Sequence, residues 1–359
     1  MRPHSLLIIA IAFKLSAAGQ TAAPEAPVPS DPLELVTGSA EPVTDAASRA
    51  AVINLIAHAH AISNVRSYAY HMKSSFTSTD GAWQLDDESP GRGLYRWTAQ
   101  GPSYVAVNLN ANQIHYSSQP GVAIPVRLAQ VRGALFFVDR LPGPRASLRT
   151  VESNFNGTTV TCVLMKRMFM GTPVAGGRRW TEQEFCIDPK TGLMMTYSPI
   201  PGLYIQYDYS TAIRFHDLTI PGAFIISEAG QPVIQAKIES VTDPAAADAG
   251  LFQTNGLTQV GSGPPMMPPV HVWMGMARQA QSSSGTPVPA VSLHGMMSPA
   301  GKISDLEVLA SSDSSLNQAA LQRVQNSPMW ADQVQSGATP QSYEVYFEVE
   351  FQDPRMPPE

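Results

Sequence analysis

The sequence predicts an α+β protein of two modules: a mainly antiparallel β module over 44–258, an incomplete barrel with one helix, then a small α+β module over 270–352. Three observations carry this expectation. At 359 residues the chain is longer than one compact core usually organises. Short alternating apolar runs broken by turn residues fill Tyr68 to Val241, the pattern of an antiparallel sheet. The stretch 259–269, with Gly261, Gly263, Pro264, Pro265, Pro268 and Pro269, interrupts all periodicity and reads as a linker.

The N-terminus has the order of a secretory signal over 1–19: Arg2, an apolar run from Ser5 to Phe13, then Lys14 and the small residues Ala17, Ala18 and Gly19. Lys14 cuts the run to about half the length of a membrane span, so cleavage and export to the periplasm are expected, with an uncleaved inner-membrane anchor as the alternative. Residues 20–43, rich in Pro and Ala, read as an extended tether in which nothing folds between Thr21 and Pro32.

From Asp45 the pattern becomes helical: Val52, Leu55, Ile56, Ala59 and Ile62 recur on one face, with Thr44 or Asp45 as N-cap. His58 and His60 lie two apart on this helix and point in different directions, so they cannot chelate one metal. Among the strands, Leu203, Ile205 and Tyr207 share a face against Tyr204, Gln206 and Asp208, and Ile234, Ala236 and Ile238 alternate with Gln235, Lys237 and Glu239. Asp188, Pro189, Lys190, Thr191 and Gly192 supply a hairpin turn. The two cysteines, Cys162 and Cys186, sit in strand-like segments of an exported chain and are expected to form a disulfide.

One helix followed by a long meander resembles, by layout only, the periplasmic lipoprotein-carrier (LolA-like) fold, which implies an apolar cavity for a lipid or acylated ligand. In the second module Met276, Ala277 and Arg278, then Gly285, a strand from Val291, the turn Pro299 to Lys302, the strand from Ile303 to Ser312 and a helix carrying Leu316, Ala320 and Val324 follow in order. Gly337 and a last strand close the chain before a tail at 353–359. This succession resembles the TonB C-terminal domain (energy transducer TonB-like). Ser327, Pro328, Met329 and Trp330 depart from the resembled pattern after the helix. Ser315 to Gln318 reads as a capping box for that helix.

In the last strand Tyr343, Val345, Phe347, Val349 and Phe351 form one face, and Glu344, Tyr346, Glu348 and Glu350 the other. A strand at a chain end tends to lie at a sheet edge, where its free backbone groups accept an extended peptide. Tyr343, Glu344, Val345, Tyr346, Phe347, Glu348 and Val349 are therefore the expected peptide-binding edge. The resemblance implies an envelope protein or an outer-membrane transporter peptide as partner, with a homodimer as the other occupant.

No G-x-S-x-G elbow and no H-E-x-x-H helix occurs, so no enzyme activity and no cofactor are expected. Glu182 and Glu184, two apart on a strand, read as a solvated face. Met266, Met267, His271, Met274 and Met276 have donors suited to Cu(I), yet packing in a hinge accounts for them, and no metal is expected. The net charge of −6 leaves no basic stripe for phosphates, which excludes nucleic acid. Two functions follow: protein interaction through the last strand, linked to TonB-type transport, or, alternatively, carriage of a lipid. A pocket of roughly 300 Å³ or more would favour the carrier.

Overall fold

The computed structural model describes residues 27–137, 141–143, 145–167, 175–245, 250–263, 269–274, 288–298, 300–327 and 342–351. The expected signal region 1–19, the start of the expected tether, Trp330 and the expected tail 353–359 lie outside the described residues.

The first module is one antiparallel sheet of 14 strands. From the edge strand Glu41–Pro42 it runs through Ser147–Phe155, Thr158–Lys166, Gln183–Ile187, Met194–Ile200, Leu203–Asp208, Ala223–Glu228 and Gln231–Thr242. It continues through Tyr70–Ser78, Gly81–Gly91, Leu94–Gln100, Val105–Ala111 and Ile114–Ser117, and ends on Thr258–Ser262. The two end strands do not pair with one another, so the sheet stays open.

Helix α1 spans Ala46–Ala61, and Asp45 caps it by accepting from the Ser48 N–H at 2.8 Å, as expected. Ile56 and Ala59 are buried in the core, with Val52 and Leu55 packed against it. A second helix that the sequence reading did not separate from the meander, α2 (Val126–Phe136), buries Leu128, Val131, Ala134, Leu135 and Phe136 in the same core. It also buries Arg127, Gln130 and Arg132, so it lacks the polar face by which a surface helix is recognised. Arg132 pairs with the fully buried Asp87 at 2.6 Å and stacks over Trp97 at 4.0 Å.

The hairpin at Asp188 forms as expected. The Asp188 carboxylate accepts from the Lys190 N–H at 2.9 Å and the Thr191 hydroxyl at 2.7 Å, and Gly192 takes the left-handed conformation that closes the turn. Cys162 and Cys186 stand directly opposite each other on adjacent strands and are joined as a disulfide. Their face is covered by Val36 and Ala40. The far end of the expected tether is thus ordered: Ala40 bridges to Gly176, and Glu41–Pro42 pairs with Arg149 and Thr150. The first part of the expected linker 259–269 is instead a strand, because Thr258–Ser262 pairs with Ile114–Ser117, and 264–268 lie outside the described residues.

The second module has four strands in the order Val270–Met274, Tyr343–Glu350, Ala290–Met297, Ile303–Ser311, with helix α3 (Asn317–Gln325) placing Ala320 and Val324 in its core. Asp313 caps the 3-10 turn Ser314–Leu316 by accepting from the Ser315 N–H, and α3 follows from Leu316 with no side-chain cap, so the expected box starting at Ser315 does not form. The last strand is not an edge. Val270–Met274 pairs with it in parallel on one side and Ala290–Met297 antiparallel on the other. The reason lies in the chain just after the linker, where Val270, Val272 and Met274 alternate in the second core and bring a strand alongside.

Replacing both cysteines with serine is expected to lower the unfolding free energy by about 3 kcal/mol in a chain-entropy account of a loop this long. Urea unfolding, with reduced wild type giving the same midpoint as the double variant, checks it.

Candidate functional site

A cleft opens between the curved face of the large sheet, the two helices of the first module and the near edge of the second module. Strand alternation sets its floor. Leu203, Ile205 and Tyr207 project from one face of their strand, beside Tyr197 and Ile226 of the neighbouring strands. From α1 comes His60, and from α2 come Gln130 and Ala134, with Phe137 in the left-handed conformation at its C-cap. Pro269, Glu344 and Tyr346 of the second module complete the border. The enclosed volume of the cleft is about 30 Å³, well short of the roughly 300 Å³ expected of a ready-made carrier pocket. Its enclosed part therefore holds one or two waters as it stands.

Aromatic rings build the inner wall: Phe137 lies 5.2 Å from Tyr207 and 5.4 Å from His60. The Tyr207 hydroxyl donates to the Ala134 carbonyl at 3.2 Å, tying strand to helix. Burial lowers the pKa of His60 to about 4, so it meets the cleft as a neutral imidazole at neutral pH.

Behind the cleft an ionic network joins the modules. Glu228 of the first module accepts from Arg127 at 2.6 Å and from Gln130 at 2.6 Å, both on α2. Across the border, His294 presents Nδ1 to Glu228 at 3.3 Å and Nε2 to Glu344 at 3.2 Å, while Arg127 reaches Glu307 at 3.2 Å. Burial alone would lower the His294 pKa, but hydrogen bonds donated to Glu228 and Glu344 outweigh it and raise it to about 9. Burial likewise opposes ionisation of Glu228, yet the His294 contact and Arg127 hold it well below the usual carboxylate range. Nearby, the Ser292 hydroxyl donates to the Pro201 carbonyl at 2.8 Å. Gly202, at φ +87°, lies so close to Leu309 that a Cβ there would sit 2.3 Å from its carbonyl oxygen.

The expected site residues fall differently. Tyr343, Val345, Phe347 and Val349 pack into or against the second core, and the opposite face, with Glu344, Tyr346 and Glu348, is buried as well. The glutamates thus do not blunt an exposed edge, and only Glu344 and Tyr346 reach the cleft. Glu182 and Glu184 are also buried, not solvated. Arg149 grips Glu182 with two bonds of 2.9 and 2.6 Å and also donates to the carbonyls of Gly176 and Gly177. Arg178 pairs with Glu184 at 3.2 Å. Burial, with Glu34 adding and Arg178 opposing, pushes the Glu184 carboxyl up to about 7. Alternation alone marks which residues share a face, not whether water covers it, and two buried arginines, Arg149 from a strand 33 positions before Glu182 and Arg178 from the segment just ahead of it, are what make this face inhabitable.

Cys162, Glu184 and Cys186 lie close enough to share an ion, but the two sulfurs are bonded to each other and offer no thiolates. Of the methionine and histidine group near the linker, Met266, Met267 and Met276 lie outside the described residues, Met274 is packed in the second core, and His271 contacts Gln183 and the Tyr346 ring.

No family model matches the chain, and no curated protein matches it. The TonB resemblance of 270–352 therefore gains no support from family comparison. Among solved structures, a LolA superfamily protein from Nitrosomonas europaea is similar at 9% identity and a TM-score of 0.38, covering 56% of this chain and 97% of that one. MucB is similar at 12% identity and 0.26, over 57% of this chain and 62% of that one. The MucA/MucB complex of Pseudomonas aeruginosa gives 12% identity and 0.29, over 71% and 82%. Among the described residues no helix is long and apolar enough to cross a membrane.

Two outcomes are expected. Glu182→Ala leaves Arg149 charged and buried without its partner and should cost about 3–5 kcal/mol in urea unfolding. For His294 the folded pKa lies above its unfolded value of 6.5, so its stabilisation is complete below about pH 6.5 and is lost as pH rises through about 9. The wild type should lose stability across that window in calorimetry, and His294→Gln should flatten the loss.

Proposed function

We propose that this is an exported, non-catalytic binding protein that takes an apolar chain, such as a lipid acyl group, into the cleft between its two modules. The observation that carries this reading is the cleft itself, an apolar floor of strand side chains roofed by α1 and α2 and bordered by a second module. Sites of this kind form preferentially where two domains meet, with mostly apolar walls and a few polar groups that fix orientation. The buried Cys162–Cys186 disulfide supports an oxidising compartment, and with it export to the periplasm.

The small enclosed volume means that a chain enters by pushing the border outward. Phe137, at the end of α2, and Glu344, on the second module, are the border residues that such a chain would displace. TonB-type strand addition is set aside, because the strand that would accept the peptide is already paired on both sides.

Protein purified from the periplasm without detergent should carry a lipid or acyl chain, seen by native mass spectrometry and solvent extraction. Ala134→Leu, which adds bulk to the cleft wall, should reduce the bound fraction several-fold while circular dichroism stays unchanged. Repeated absence of any co-purifying chain, together with no uptake of added decyl compounds, would remove the reading.

A further inference from the structure

Among the described residues that line the cleft Glu344 is the one carboxylate, and His60, which also lines it, is neutral. One Glu344 oxygen, Oε1, accepts from His294 Nε2 at 3.2 Å and from the Tyr346 hydroxyl at 3.2 Å. No described residue donates a hydrogen bond to the other, Oε2. Behind it, Arg127 and His294 face three carboxylates, Glu228, Glu307 and Glu344, so carboxylates outnumber cations in the network, and burial and Glu228 push the Glu307 carboxyl up. His60 adds a hydrogen-bond donor and an acceptor without charge. The polar corner of an otherwise apolar cleft is thus acceptor-rich and anionic.

We propose that the cleft sorts apolar chains by head group, taking one whose head is a neutral or cationic hydrogen-bond donor, such as an alcohol or an amine, in preference to a carboxylate. The proposal deepens the binding reading above and rests on it. A donor head meets the open Glu344 oxygen and forms a charge-assisted bond, which is shorter and stronger than a neutral one. A carboxylate head placed there adds a second buried anion beside Glu344 and meets repulsion that low-dielectric surroundings amplify. Gln130 does not offset this, because its amide is already committed to Glu228 and its carbonyl oxygen to Arg127.

The test titrates the intact, disulfide-bonded protein with decylamine, 1-decanol and decanoate near neutral pH, well below micelle formation, by calorimetry. Decylamine and decanol should bind at least about tenfold more tightly than decanoate. Glu344→Gln keeps an acceptor for His294 and removes the charge, and it should bring decylamine and decanoate to within about twofold while leaving decanol nearly unchanged. Decanoate binding as tightly as decylamine to the wild type overturns the proposal without need of a variant, while leaving the cleft as the binding site. A preference that Glu344→Gln does not alter, in protein whose unfolding remains cooperative, overturns it too. Failure of all three compounds to bind overturns the binding reading and this proposal together.

Discussion

Glu228, buried, holds three partners: a guanidinium and an amide from α2, and an imidazolium from the second module. A buried carboxylate is tolerated only when such partners surround it, and removing one leaves the rest unsatisfied. The position of α2, the docking of the second module and the border of the cleft therefore stand or fall together. Gly202 serves the same contact from the backbone side, since any side chain there would collide with the Leu309 carbonyl. The apolar cleft lies beside this ionic joint, so what opens the cleft must also work against the joint.

A second buried charge assembly performs the corresponding task at the other end of the large sheet. Arg149 and Arg178 hold Glu182, Glu184 and the carbonyls of Gly176 and Gly177. The chain that leads in from residue 27 is thereby fixed over the disulfide. The two assemblies differ in what they join. One locks a chain segment to its own sheet, while the other spans two modules and reaches the cleft.

Features governed by neighbours in sequence were legible. The Asp45 cap, the apolar stripe of α1, the Asp188 turn and the alternation of Gln231–Thr242 all depend on residues within a few positions, and the structure shows each of them. The pairing of Cys162 with Cys186 was readable because only two cysteines exist. Features governed by distant partners were not. The last strand reads correctly as a strand, yet nothing within it says that Val270–Met274 will lie beside it. Glu182 looks solvated until the fold brings Arg149, 33 positions earlier, next to it, and only with that strand in place is the nearby pair of Arg178 and Glu184 buried as well. In α2 arginines and a glutamine stand among the apolar residues on a mostly buried helix, and Gly133 weakens its helical propensity, so neither an amphipathic stripe nor propensity marked it in the sequence. Of the cleft, the face of Leu203, Ile205 and Tyr207 was visible in the sequence, whereas its border on Glu344 and Tyr346 depends on module docking.

The parallel strand Val270–Met274 has a consequence for how copies of the chain behave at high concentration. Without it, the eight-residue strand Tyr343–Glu350 would show a long row of bare amides and carbonyls, the kind of template on which chains stack into aggregates. With it, the outermost strand on that side is only five residues long, too short to template an extended ladder. The short segment after the linker thus keeps the second module's most regular strand out of reach of its neighbours.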